Sequence, residues 1–340
     1  MANLKSTTIN DTGFLQLPSG TTAERPASPT AGEIRFNTDT KVTEWYDSEL
    51  DSWFPTGVVP LVATGGDTVE DVDIDGVTYR IHSFTTVGES TFTVTRGGLV
   101  EFLIVAGGGA GATTDGGGGG GGGVLLGQQN VKTGTQLIAV GAGGNFIDSN
   151  DTAGENGFNS YAFGLTAIGG GGGGNDRASG EQSKSGGSGG GGGSDQTNTN
   201  GGLDQFQGSA GTPGQGNSGG LGVGDTQNIT RRSGGGGGAG SPGQPGNGSP
   251  NGAGGTGIFV GNIFSLSIGE SGFVAGGGGG GHNIKGPGGL GGGADGSDGN
   301  DITGSPGAAN TGGGGGGGGN SNSRGSSGGS GIVIIRYRIS

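Results

Sequence analysis

The side chains that could do chemistry are few and scattered. The two histidines, His82 and His282, stand far apart in the chain, and His82 alternates within a strand-forming segment, where it reads as a packed or solvent-facing side chain. Cysteine is absent, which removes disulfides, thiolate nucleophiles and Cys-ligated zinc. Asp71-Val72-Asp73-Ile74-Asp75-Gly76 copies the opening of a calcium loop, but the twelfth position is His82, where a bidentate Glu is needed. Asp75-Gly76 reads instead as a two-residue hairpin turn. Asp295, Asp298 and Asp301 hint at calcium more faintly and read as solvated loop acids. GxGxxG spacings occur only because unbroken glycine runs contain every glycine spacing, and no GxxxxGK[ST] phosphate loop is present. The reading is therefore a non-enzyme, with no cofactor and no assigned metal.

Binding is the chemistry left. Three polar segments lie between glycine runs. Residues 175–188 carry Arg177, Glu181 and Lys184; residues 194–233 carry Asp204, Phe206, Arg231 and Arg232; residues 282–311 carry His282, Lys285, Asp298 and Asp301. Cations are scarce in this part of the chain, so Arg177, Lys184, Arg231, Arg232 and Lys285 stand out. Guanidinium groups suit bidentate capture of carboxylate or phosphate, and loops on a rigid scaffold are where recognition is usually placed. Arg177, Lys184, Asp204, Phe206, Arg231, Arg232, His282 and Lys285 are the candidate receptor-binding residues.

The scaffold that would position them is unusual. Of 340 residues 98 are glycine, hydrophobic residues are 27% and charged residues 13%. That is too little apolar side chain for a large ordinary core. Collagen is excluded, because glycine comes in unbroken blocks and proline numbers only 11. A formal net charge of −13 argues against nucleic-acid binding. Leu99–Ala106 is the longest dense apolar stretch, too short for a membrane helix, so no membrane insertion is expected. Met1–Gly20 has no apolar signal core and reads as mature protein.

Glycine divides the chain into zones. Residues 1–57 carry short strands, Gly32–Thr38 and Val42–Tyr46, and four large aromatics, Trp45, Tyr46, Trp53 and Phe54. A unit this small is hard put to bury them alone, so copies of it are expected to pack about an axis, the alternative being a small aromatic cluster within one chain. Residues 58–106 read as strands around Asp75-Gly76 and Arg96-Gly97-Gly98, completed by the β-branched C-terminal strand within 332–340. Residues 107–331 hold runs of five to eight glycines at 116–123, 169–174, 189–193, 234–238, 276–281 and 312–319, with further strands at Val124–Leu126, Gln136–Val140, Tyr161–Ile168 and Ile258–Ile268.

A single glycine run is normally a flexible linker. Here the runs recur at similar length between strand-forming pieces, and a linker has no need of that punctuation. The ordered alternative is polyglycine II, a left-handed helix with three residues per turn whose backbone groups must bond to neighbouring rods. Without Cβ, such rods approach to about the strand spacing of ~4.8 Å, and an Ala inside would push a methyl into the next backbone. The fold expected is all-β plus polyglycine II, with essentially no α-helix: a short β-rich N-terminal module, a β base, and a glycine-rich slab over 107–331.

Two resemblances add to this reading. Thr12-Gly13-Phe14-Leu15, Leu17 to Pro26, Gly32 to Thr40, Glu44-Trp45-Tyr46 and Trp53 resemble the short β-rich module of tail fibres and other virion appendages of bacteriophages, notably those of marine cyanobacteria. Phe102 to Gly109, Val140 to Gly144, Gly157 to Ser160 with Phe163-Gly164 and the 169–174 run, and Gly328 to Tyr337 are similar in content and order to the glycine-rich domain of phage receptor-binding adhesins. The resemblance implies a homotrimeric virion protein, made in the host cytoplasm. Residues 1–57 would join other tail or virion proteins, and distal loops would bind a bacterial surface receptor, a saccharide or an outer-membrane protein. The alternatives are a structural appendage or a capsid or tail decoration without a receptor, an ice-binding protein, and a polysaccharide-degrading enzyme. Irregular loops count against the ice-binding alternative, and a missing β-helical body counts against the enzyme.

Overall fold

The computed structural model describes residues 16–57, 60–74, 76–146, 152–175, 182–194, 205–224, 231–248, 250–264, 267–298, 304–320 and 323–339. The chain divides into two units, residues 1–60 with 339–340, and residues 61–338. Strands dominate both, and among the described residues the one helical element is a single 3-10 turn, Thr22–Glu24.

In the first unit, β1 (Ser19–Gly20), β2 (Ile34–Asn37), β3 (Val42–Asp47) and β4 (Ser52–Pro55) form one sheet in that order. Register places Ile34, Trp45 and Phe54 side by side on one face. The other face carries Tyr46 beside Trp53, with Arg35 opposite Glu44. Trp45 meets Phe54 at 6.1 Å between ring centroids, and Tyr46 meets Trp53 at 5.6 Å. Tyr46, Trp53 and Phe54 are buried within a single chain and Trp45 is half-buried, so one copy covers three of its four large aromatics by itself. A polar network does part of the covering. Glu44, 2% exposed, accepts from Arg25 Nη2 at 2.7 Å and from Asn37 Nδ2 at 3.1 Å, with Arg35 beside it. Burial pushes the Glu44 carboxyl pKa up, and the hydrogen bonds from Arg25 and Asn37 outweigh it and hold the group below its usual value.

The second unit is built on two five-stranded sheets. One runs in the order β10 (Val124–Val131), β9 (Gly98–Val105), β18 (Ile332–Arg338), β7 (Val77–Phe84), β6 (Thr68–Ile74). The other runs β13 (Leu165–Ala167), β12 (Ser160–Ala162), β11 (Gly134–Val140), β8 (Gly88–Arg96), β5 (Val62–Thr64). The C-terminal strand β18 is central, paired to both β9 and β7. Its Ile332, Val333, Ile334 and Ile335 are all buried, as its gap-free β-branched sequence requires. The hairpin expected between β6 and β7 forms, with Ile74 paired to Val77 and Gly76 at φ +79°; Asp75 lies outside the described residues. Phe84, Phe92, Phe102 and Phe163 link the facing sheets as a chain of ring contacts, 5.9–6.5 Å apart.

The base is larger than residues 58–106 and 332–340. Strands β10 to β13, all beyond residue 106, complete both sheets. The expected strand over Tyr161–Ile168 is instead the hairpin β12–β13, because Phe163-Gly164 turns with positive φ at both residues. The expected strand over Ile258–Ile268 is also cut short. Only β16 (Ile258–Phe259) pairs, with β17 (Phe273–Val274). Val260 and Phe264 then leave the strand path to cover the outer side of the first sheet, in a cluster with Ile81, Leu103, Ile332 and Ile334.

The glycine runs lie beside one another and are bonded through their backbones. Along 116–123, Gly117, Gly120 and Gly123 donate to the carbonyls of Gly174, Gly171 and Ile168. Gly118 and Gly121 donate to Gly234 and Gly237, while Gly116, Gly119 and Gly122 donate to Gly318, Gly315 and Gly312. Each run therefore addresses three neighbours in rotation, with a period of three residues. A strand repeats every two. The same period recurs over 107–112 and 276–281. Glycine is not obligatory at every position, however. Ala110 and Ala112 are fully buried in one row, so the expectation that any Ala would clash is too strict.

Candidate functional site

The row 116–123 runs from the base, where Val124 enters β10, to a polar turn, Thr113-Thr114-Asp115. Thr114 and Asp115 both have positive φ, 29° and 51°, a conformation with a cost for non-glycine residues. What holds it is the Asp115 side chain. Its Oδ2 accepts from Arg231 Nη1 at 2.5 Å and its Oδ1 pairs with His282 Nδ1 at 2.5 Å. All three residues are buried. The Asp115 carbonyl accepts from Ser194 N at 3.1 Å and from Ser233 Oγ at 2.7 Å. A single buried carboxylate thus ties three rows together at the end remote from the sheets.

The roots of six polar segments meet around this cluster. Thr113 N donates to Thr152 O, Gly117 N to Gly174 O, and Thr114 N to Ser323 O. Ser194 and Arg231 bond to Asp115 itself, and Asp298 bridges to His282. These anchors border residues 147–151, 176–181, 195–204, 225–230, 299–303 and 321–322. Those intervals lie outside the described residues. Their described ends are gathered at one pole of the glycine-rich unit.

The candidate residues separate accordingly. Arg177 and Asp204 lie outside the described residues. Lys184 and Lys285 have exposed side chains, and the Lys184 backbone is woven into the lattice through Gly172 O and Gly190 N. Phe206 is half-buried in β14 (Gln205–Phe206), paired to β15 (Gly222–Val223). Arg232 is half-buried, with its backbone bonded both ways to Val223. Arg231 and His282 are different. At 5% and 4% exposure they face Asp115 rather than solvent, so they are anchors of the site and present no surface to a ligand. The long segment 194–233 is likewise not one loop, since β14, β15 and bonded glycines fill much of it.

Asp115 escaped the sequence reading, as did Ser233. The available signal was a lone acid after two threonines, directly before one of the longest glycine runs, which is turn chemistry. No group of three or more His, Cys, Asp or Glu gathers among the described residues. Asp295 accepts from Gly288 N at 2.8 Å and caps a turn. Asp301 lies outside the described residues. His82 sits in the sandwich core. Its Nδ1–H donates to Gly65 O at 2.6 Å and its Nε2 accepts from Tyr337 Oη at 3.1 Å, so its hydrogen bonds are structural.

No curated protein matches the chain. The glycine-rich domain family matches residues 85–338; that span begins in the connection between β7 and β8 and ends with β18, taking in every glycine row and all strands of the two sheets except β5, β6 and β7. The chain belongs to the glycine-rich domain family.

Proposed function

We propose that this protein is a receptor-binding adhesin of a bacteriophage tail fibre. One observation carries the reading: six polar segments are rooted at one pole of a unit whose interior is backbone bonded to backbone. Such a body holds its loops without depending on their sequence, which is what a binder under pressure to change partners needs. The glycine rows would be polyglycine II rods, a reading their three-residue bonding period supports. Residues 1–57 would join other virion proteins and trimerise, with Ile34, 48% exposed, and Trp45 on the sheet face available to a copy. Three sites per fibre and several fibres per particle would raise avidity without tight single sites. The described candidates left for receptor contact are Lys184, Phe206, Arg232 and Lys285. Capture of carboxylate or phosphate on a bacterial surface is the chemistry their cations suit.

The test is binding of fluorescently labelled protein to susceptible host cells. Deleting all of 194–233 would tear out lattice rows, so residues 195–204 and 225–230 are replaced instead by short Gly-Ser segments. Saturable binding that these replacements abolish, with unchanged thermal stability, supports the adhesin. Absence of saturable binding to every susceptible host refutes it and leaves a structural appendage, which immunogold labelling would then place on tail or capsid.

A further inference from the structure

A cavity of about 340 Å³ opens on the outer side of the first sheet, remote from the Asp115 pole. Its floor is the sheet itself: Thr68 on β6 stands directly opposite Ser83 on β7, with Glu70 two residues along and Ile332 at the start of β18. Its walls are the 267–269 segment, with Ile268, and the 309–311 turn, with Asn310. Several of these polar groups have nothing to do within the fold. The Glu70 carboxylate and the Thr68 hydroxyl make no hydrogen bond to another described residue. Asn310 uses its backbone N–H and its Oδ1 on Ser330, at 2.9 and 3.1 Å, which leaves Nδ2 unpaired. Ser83 is only 8% exposed, and its hydroxyl also has no described partner. That hydroxyl borders the cavity and is open to a ligand there.

The lining defines the ligand. It contains no Lys, Arg or His, so nothing would neutralise a phosphate or carboxylate. It contains no aromatic ring to stack a base. It offers one carboxylate, several hydroxyls, an amide donor and two isoleucines. Alternating acceptors and donors around an aliphatic patch suit vicinal hydroxyls and the C–H face of a sugar ring. The volume lies at the low end for ligand pockets, room for one ring rather than a chain. We infer that this cavity is a binding site for a neutral pyranose, with Glu70 accepting from a pair of adjacent hydroxyls and Asn310 Nδ2 and Ser83 Oγ completing the contacts. The site stands on the base and not on the distal loops, so it does not depend on the adhesin reading.

The probe is a panel of neutral methyl pyranosides, observed by saturation-transfer NMR with the full chain. At least one is expected to show transfer to its ring C–H protons, saturable at millimolar concentration. Glu70→Gln, isosteric and on an exposed strand position, is expected to weaken it by about tenfold, the loss of one charged hydrogen bond. Asn310→Ala is expected to weaken it independently. Thermal melts of both variants check the fold. A second arm compares the binding pyranose free and as the terminal residue of an oligosaccharide: equal affinity points to a glycan end, and loss of the longer ligand to a free sugar. No transfer from any pyranoside, or equal transfer in wild type and both folded variants, overturns the assignment.

Discussion

A methyl group added at Gly315 tests whether the glycine rows are packed or merely adjacent. A Cβ there would overlap the Ser326 carbonyl oxygen and stand 2.7 Å from that of Ser327, where ordinary contact begins at 3.4 Å. Relief of the second contact alone requires a shift of about 0.7 Å (3.4 − 2.7), and the first demands more. The row that must move is bonded on several sides. Ser326 O accepts from Gly111 N at 2.9 Å, Ser326 N donates to Gly316 O at 3.0 Å, and Gly329 N donates to Gly313 O at 2.8 Å. Overpacking costs ~1–3 kcal/mol, and each buried backbone group left unpaired costs about 1–3 kcal/mol. Gly315→Ala should therefore destabilise the second unit by roughly 3 kcal/mol. At about 2–4 °C per kcal/mol for a body of this size, the midpoint should fall by about 6–12 °C. The control is Gly248→Ala, where an added Cβ meets nothing within 4 Å and φ is not positive. It should be neutral or raise the midpoint slightly by restricting the unfolded chain. Differential scanning calorimetry on both variants reads the contrast. A Gly315→Ala midpoint within a degree or so of the Gly248→Ala midpoint would show that the rows give way freely, and the lattice argument would fail.

Ending the chain at Gly331 should leave the second unit unfolded, because Ile332, Val333, Ile334 and Ile335 are all buried in a central strand; at ~1.5–3 kcal/mol per buried side chain the loss is about 6–12 kcal/mol, comparable to a whole domain's stability, and native near-UV circular dichroism in the truncated chain would contradict it. Asp115→Ala leaves Arg231 and His282 facing each other in a buried space and should cost ~3–5 kcal/mol in urea denaturation, against at most ~0.5 kcal/mol for Lys184→Ala on the surface; equal effects would remove the anchoring role. Burial holds the His82 pKa below its ordinary value near 6.5, so as the pH falls the unfolded chain takes up the proton first. Stability should be flat above about pH 7.5 and decline from about 6.5 downward. His82→Gln should flatten that decline in melts between pH 7.5 and 5, and identical slopes in the two proteins would exclude His82 as its source.

The strands were legible where apolar and β-branched side chains follow one another without a turn residue. Val77–Phe84, Leu99–Val105 and Ile332–Arg338 are rich in β-branched, aromatic and other apolar residues and free of glycine and proline, so nothing local competes with them. Boundaries failed where tertiary context overrode pattern. Val260 and Phe264 belong to an apolar run, yet a neighbouring sheet face needs covering and draws them out of register. The glycine rows could be counted but not connected: a run with no side chains carries no record of which neighbour it meets, and the partners of Gly117, Gly118 and Gly119 lie in three distant segments. Arg231 and His282 stood out because they are rare in their zone. Rarity marks a residue whether it faces out to a ligand or inward to Asp115, and only the position of that acid across more than a hundred residues of chain separates the two.

The three-way rotation of partners gives the rows an arithmetic of their own. Successive residues in a run bond to different neighbours in a fixed rotation of three, so the identity of each contact depends on position modulo three. One glycine gained or lost would turn every later residue of that run toward the wrong neighbour. Three gained or lost would restore the phase and merely slide the run outward or inward by one period of its bonding. Glycine-coding repeats are prone to gain and lose units during replication. In this protein such slippage would be sorted by structure into steps that scramble the lattice and steps that only extend it, so that the reach of a loop could lengthen in discrete increments while the rest of the molecule stays as it was.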